Sequence, residues 1–240
     1  MTIRAVLWDV DDTIFDYARA DRVGMSAHLT AEGLVDGYAS VDQALGRWRE
    51  LTAIHWRIFE AGGVDFQEQR RERVRAFLER PGLTAAEADG WFERYVAHYE
   101  AAWELFPDAV PVLDLLADDY RHGILSNSSL LNQDHKLRAL GVRERFEAVV
   151  CAAELGVAKP AAEAFHAACT ALDLHPSEVV YVGDQPDIDA RGATEAGLQG
   201  IWLDRAGTGG RPELKRITSL HELPGLLRGH TRFGAQSTFR

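Results

Sequence analysis

Cysteine is nearly missing from this chain: among 240 residues only Cys151 and Cys169 are present. Two cysteines make no disulfide framework, so they read as small buried hydrophobes in a reducing compartment. Long apolar runs are missing as well, and no stretch approaches the roughly 18 consecutive apolar residues of a membrane span. The first apolar run, Ala5–Trp8, meets Asp9 before a signal-peptide apolar region can be completed. Basic charge is the third shortage, with 26 Lys+Arg against 37 Asp+Glu and a formal charge of −11. Affinity for a nucleic-acid backbone rests on clustered Lys and Arg, and an anionic membrane surface would repel this balance. The expectation is a cytoplasmic protein with neither nucleic acid nor membrane among its partners. The composition itself is ordinary, at 46% apolar and 26% charged residues. A chain of this length buries roughly 70–75% of its unfolded surface, enough for one large α/β domain or two smaller ones.

Short apolar runs recur at Ala5–Trp8, Gly123–Leu125, Ala148–Cys151, Val179–Val182 and Gly200–Leu203. Their length and β-branched content suit buried parallel strands. Helical spacing fills the intervals at Val110–Ala117, Leu130–Leu140, Ala161–Leu172 and Ile188–Ala196. Strands alternating with such helices predict a doubly wound parallel sheet. Residues 17–103 break the alternation and read as an all-helical insert. Leu45, Trp48, Leu51, His55, Ile58 and Phe59 share one helical face; Trp91, Tyr95, Tyr99, Ala102 and Phe106 share another. Gly62-Gly63 and Pro81-Gly82 punctuate the insert as turns. The expected division is a discontinuous core of residues 1–16 and 104–228, a helical insert of 17–103, and a flexible tail of 229–240 after a last surface helix at Ser219–Leu227.

Four polar clusters follow predicted strands, the end at which open α/β sheets hold ligands. Asp9-Val10-Asp11-Asp12-Thr13 follows the first. Asp9 and Asp11 can be bent toward one pocket, where paired carboxylates repel unless a cation or a shared proton compensates. Mg²⁺ is the natural cation, being hard and oxygen-seeking. Ser126-Asn127-Ser128-Ser129 offers a hydroxyl and free amides suited to phosphate oxygens. Lys159, before Pro160 at the first turn of the next helix, could neutralise phosphate. Gly183-Asp184-Gln185-Pro186-Asp187-Ile188-Asp189 supplies Asp184 to a metal site opposite Asp9, and Asp189 to orient Lys159 or a metal-bound water. Singly, each cluster has a plain explanation as a solvated turn, a helix cap or a surface lysine. Gly207-Thr208-Gly209-Gly210 lacks the Gly-Lys-Ser/Thr ending of a nucleotide loop and reads as a turn.

Jointly, Asp-x-Asp-x-Thr, Ser-Asn, Lys-Pro and Gly-Asp-x-x-x-x-Asp, in this order, resemble the haloacid dehalogenase-like (HAD) hydrolase superfamily. The likeness runs over nearly the whole chain, Leu105–Leu116 and Gly192–Leu203 included. The position of the insert is similar to the superfamily's first class of helical cap. The resemblance implies a Rossmann-like core and a Mg²⁺-dependent phosphatase acting on a small phosphorylated substrate. In that mechanism Asp9 attacks phosphorus and forms an aspartyl-phosphate. Asp11 protonates the leaving group and then activates water. Mg²⁺ is held by the Asp9 carboxylate, the Asp11 backbone carbonyl and Asp184. Ser126, neighbouring amides including that of Asn127, and Lys159 hold the transferring oxygens, and Thr13 fixes the first loop. A cap of this class closes over the site and sets specificity; His55 is a candidate there, beside a plainer reading as a packed histidine. The acid at position 11 separates phosphatases and phosphomutases from the dehalogenases, which lack it. Ala161 and Ser128 depart from the residues common at those places, and neither removes a group the chemistry needs. A phosphomutase shares every motif and stays open. A signalling receiver domain places its aspartate differently and has no such insert, and a non-catalytic protein on this fold would show losses among the motifs. Oligomeric state and physiological substrate stay open.

Overall fold

The computed structural model describes residues 2–231. Backbone contacts divide it into two compact units, one of residues up to Asp16 and from Glu104 onward, the other Tyr17–Trp103.

The first unit carries six parallel strands: β1 (Ala5–Trp8), β2 (Arg121–Ser126), β3 (Ala148–Cys151), β4 (Val179–Gly183), β5 (Gln199–Leu203) and β6 (Lys215–Ile217). They lie in the order β3-β2-β1-β4-β5-β6. Every residue of β1 and β4 is buried, the signature of central parallel strands covered on both faces. The doubly wound α/β expectation holds. Sheet order reverses between β1 and β4, and such a switch point opens a crevice at the carboxyl ends. Trp8 is in register with Val182 and with Ile124, so Asp9, Ser126 and Asp184 all emerge at that edge.

The second unit has four helices, α1 (Tyr17–Ala31), α2 (Val41–Glu60), α3 (Phe66–Phe77) and α4 (Ala85–Ala101). Their starts are set locally. Ser40 and Asp65 cap α2 and α3, and Thr84 forms a capping box with Glu87 at α4. Trp48, Trp91, Tyr95, Phe77 and Leu45 form its core. The apolar stripe expected along α2 ends early: Leu45, Trp48 and Leu51 are buried, whereas Ile54, Trp56 and Ile58 are exposed. Phe106 lies beyond α4, outside this unit, so it does not extend the α4 face.

The remaining helices belong to the first unit: α5 (Ala109–Leu116), α6 (Leu130–Ala139), α7 (Ala152–Leu155), α8 (Ala162–Ala171), α9 (Gly192–Glu195) and α10 (Leu223–Thr231). Three details differ from expectation. Lys215–Ile217 forms an edge strand, hidden in the sequence because two of its three residues are charged and exposed. The helix expected at Ile188–Ala196 begins as a wide π-helical turn over Pro186–Arg191. The helix after Pro160 starts at Ala162, placing the proline ahead of its first turn. The predicted tail begins inside α10, which runs to Thr231; residues 232–240 lie outside the described residues. Cys151 and Cys169 are free and buried, and burial pushes their thiols up to about 12 and about 11. Among the described residues no helix is long and apolar enough to cross a membrane.

Candidate active site

Lys159 organises the carboxyl end of the sheet. Its side chain is 3% exposed, and Nζ donates to Asp9 Oδ1 at 2.7 Å, Asp189 Oδ1 at 2.7 Å and the Tyr181 hydroxyl at 2.6 Å. An ammonium has three donors, so all are placed. The plain reading of Lys159 as a surface lysine does not hold. Asn127 positions the residue from the main chain: its Nδ2 donates to the Lys159 carbonyl and its Oδ1 accepts from the Lys159 amide, at 2.9 and 2.8 Å. Asn127 is expected among the phosphate ligands through its amide; its side chain has the separate task of bracketing Lys159.

The π-helical turn delivers Asp189. Both its oxygens are filled, Oδ1 by Lys159 and Oδ2 by the Gln185 amide at 2.9 Å. Gly183 makes this possible, because a Cβ there would stand 2.3 Å from Asp189 Oδ2. Asp189 is thus in contact with Lys159, one of the two partners the sequence left open for it. Carboxylate oxygens of Asp9, Asp184 and Asp189 lie within 4.8 Å of one another. Asp184 Oδ1 is buried with no hydrogen-bond partner. Burial pushes Asp184 up to about 7, with Asp189 and Asp12 adding to the shift. Burial likewise holds Asp9 well above the ordinary carboxylate range, Lys159 opposing and Asp189 and Asp11 adding. Burial alone would lower the Lys159 ammonium, but Asp9 and Asp189 outweigh it and raise it. Fully ionised, three carboxylates against one ammonium would leave two negative charges, and Asp184 Oδ1 is an oxygen without a partner. A hard divalent cation suits that donor set. Each Asp189 oxygen is already engaged once, whereas Asp184 Oδ1 has no partner, so Asp9 and Asp184 are the carboxylates best placed to hold it.

Asp11 turns its carboxylate to α6, where Lys136 Nζ donates to Oδ1 and Gln133 Nε2 donates to Oδ2 at 2.9 Å. The Asp11 side chain is therefore outside the metal-ligating group, and its expected metal contact was through the backbone carbonyl. Ser126, buried at the end of β2, accepts from Gln133 Nε2 at 3.0 Å. Ser129 caps α6. Thr13 was expected to fix the first loop, yet its hydroxyl is buried without a partner. The loop is tied through the Thr13 carbonyl, which accepts from Arg205 Nη2 at 2.7 Å. Arg205 is itself fixed by both oxygens of Asp108, at 3.1 and 2.9 Å.

The sequence reading missed Tyr181, Gln133, Lys136 and Arg205. Tyr181 passes as one more apolar residue of a buried strand, and Gln133 and Lys136 as exposed positions of an amphipathic helix. The available signal was their i, i+3 spacing on the helix that follows the Ser-Asn cluster. Gly207–Gly210 is a turn closed on Asp204, whose carboxylate accepts from the Thr208 and Gly209 amides.

A parallel α/β sheet with a buried lysine held between two aspartates and a third carboxylate beside them at its switch point narrows the class to enzymes of the α/β hydrolytic kind. Comparison with known proteins gives the family. The model of the haloacid dehalogenase-like hydrolases matches residues 3–197, and the chain belongs to that family. It is 30% identical to the glyceraldehyde 3-phosphate phosphatase of Methanopyrus kandleri over 216 residues, covering 85% of this chain and 84% of that protein. The magnesium-bound HAD-hydrolase YfnB of Bacillus subtilis shares the fold, with a TM-score of 0.71 at 23% identity, over 95% of this chain and 99% of that one. A 2-haloacid dehalogenase of Pseudomonas syringae pv. Tomato is similar at a TM-score of 0.69 and 26% identity, over 95% of this chain and all of that one.

Proposed function

We propose that this hydrolase is a cytoplasmic, Mg²⁺-dependent phosphomonoesterase acting on a small phosphorylated metabolite through an aspartyl-phosphate. The observation that carries the reading is the buried Asp9–Lys159–Asp189 chain with Asp184 beside it. Lys159 fixes Asp9 through Oδ1, and an oxygen of the Asp9 carboxylate attacks phosphorus as the ester oxygen leaves. Asp11 gives that oxygen its proton, then takes one from the water that cleaves the acyl phosphate and restores Asp9. Ser126 and Lys159 hold the transferring oxygens. Asp9, Asp184 and the Asp11 carbonyl would hold Mg²⁺, which would supply charge compensation for the incoming phosphate dianion.

The phosphatase at 30% identity supports phosphate-ester hydrolysis. The likeness to a dehalogenase raises a second reading, hydrolysis of a carbon–halogen bond. That chemistry has no alkoxide to protonate, and the held acid at Asp11 speaks against it. The test is 4-nitrophenyl phosphate with and without Mg²⁺, beside 2-chloropropionate. Turnover of the phosphate ester that disappears in EDTA and in Asp9→Asn is expected. Full Mg²⁺-dependent turnover by Asp9→Asn would overturn the reading.

A further inference from the structure

Gln133 and Lys136 belong to none of the four sequence motifs, yet they take both oxygens of Asp11. They stand three residues apart on α6, so both side chains leave the same face of the helix. Lys136 is 8% exposed, and its ammonium also lies 4.4 Å above the Phe15 ring. Gln133 is fully buried, and its single Nε2 serves Asp11 Oδ2 and Ser126 Oγ together. The amide can face only this way, since reversing it would set a carbonyl oxygen against a carboxylate. This orientation leaves Gln133 Oε1 buried without a partner, a desolvation cost borne to keep Nε2 on Asp11 and Ser126.

The geometry points to Gln133 and Lys136 as a clamp that positions Asp11 for proton transfer and aims the Ser126 hydroxyl, an inference that rests on the phosphomonoesterase reading. An aspartate on a loop has two free side-chain torsions, and misplacing a reacting group by about 1 Å costs on the order of 10²-fold in rate. The clamp removes that freedom. It fills one lone pair on each Asp11 oxygen, and a carboxylate has about four such sites, so room is left for the ester oxygen or the water. Because Ser126 Oγ accepts from Gln133, its own proton is directed to another acceptor, such as a phosphoryl oxygen. The balance of the step is simple. The phosphorus–oxygen ester bond breaks, the Asp11 proton passes to the departing alkoxide, and the Asp11 carboxylate later takes a proton from the attacking water. Gln133 and Lys136 touch neither substrate nor reacting atoms, and are positioning residues.

Two esters isolate this role. An alkoxide needs a proton to leave, whereas nitrophenolate leaves without one, and kcat/KM reports only steps up to leaving-group departure. In Lys136→Met, kcat/KM on β-glycerophosphate should fall on the order of 10²-fold and on 4-nitrophenyl phosphate by less than about threefold. In Gln133→Met, which also frees Ser126, both esters should lose rate, the alkyl ester on the order of 10²-fold more than the aryl one. A structural role that disturbs Asp9 or the phosphate ligands would lower both alike. Equal losses on the two esters, or no loss on either, overturns the inference. So does a wild-type enzyme that cleaves the aryl ester but never the alkyl one. A wild type inactive on both with Mg²⁺ present counts instead against the phosphomonoesterase reading. If Lys136→Met does not fold, the ratio in Gln133→Met decides.

Discussion

At the scale of single residues, Lys159 carries the charge balance of the site. Its three donors end on Asp9, Asp189 and Tyr181, with the tyrosine hydroxyl passing its own proton to the Leu125 carbonyl at 2.9 Å. Removing the ammonium leaves two buried carboxylates facing each other. Breaking a buried pair in this way costs about 3–5 kcal/mol, so Lys159→Met should lower the urea midpoint of the metal-free protein by that equivalent. Phosphatase turnover should fall at least 10²-fold, on the order seen when a transition-state donor is removed. Lys159→Arg should not rescue either property, since a planar fork cannot serve three partners arranged around a tetrahedral ammonium. A Lys159→Met protein as stable and as active as wild type would contradict this account. The case also shows which residues a sequence exposes. Asp9, Lys159 and Asp184 stand beside apolar runs, where a polar residue needs an explanation. Tyr181, Gln133 and Lys136 are hidden, because each obeys the local pattern of its strand or helix and gains its partner only through tertiary packing.

Elements obey their own constraints, and in the helical unit the tightest is at Gly24 of α1. A Cβ there would lie 2.6 Å from Tyr99 Cα and 2.9 Å from Tyr99 N on α4. Those neighbours are backbone atoms, so the helices themselves would have to part. Gly24→Ala should cost about 1–3 kcal/mol in urea unfolding, the range for overpacking a close contact. Gly46 of α2 is the control: nothing lies within 4 Å of its Cβ position, and Gly46→Ala should stabilise by about 0.4–1 kcal/mol through helix propensity. A Gly24→Ala protein that gains stability as the control does would show that α1 and α4 are not packed this closely. Elements were legible where periodicity spoke. β1 and β3 match the predicted runs residue for residue: β1, buried throughout, reads as unbroken apolar text, and β3 reads the same way although it is half-buried at the sheet edge. The turn at Pro186–Arg191 was not legible. Its width follows from seating Asp189 against Gly183 and the Ala190 carbonyl against Gly200, where a Cβ would stand 1.9 Å away. No helical periodicity encodes that pair of long-range contacts.

For the whole molecule, the buried titratable groups oppose one another, and their balance turns on the cation. Burial lowers His28 and His122 to about 4. His28 has both ring nitrogens without partners beneath Trp91, and His122 Nδ1 accepts from the Trp8 indole at 3.0 Å, so neither accommodates an added proton. Between pH 4 and about 6.5 the unfolded chain protonates these histidines and the folded one does not, so they make stability rise with pH. Asp184, raised to about 7, and Asp9, raised with it, do the reverse. Above pH 4 the folded protein keeps protons there that the unfolded chain has lost, and stability falls as pH rises. Each group contributes at most about 1.4 kcal/mol per pH unit. In EDTA the two pairs should nearly cancel between pH 5 and 6.5, leaving a plateau. Above 6.5 the histidines are silent and the carboxylates act alone, so the melting temperature should decline through pH 7 to 8. Saturating Mg²⁺ holds Asp9 and Asp184 ionised, which removes the alkaline decline and uncovers the acid one, now monotonic below pH 6.5. The stabilisation by Mg²⁺ should therefore grow with pH, as binding releases fewer protons and the competing protonated form disappears. Melting temperatures at fixed ionic strength in EDTA and in Mg²⁺ check this directly. Parallel curves across pH 6 to 8 would mean that these carboxylates are not where the cation binds.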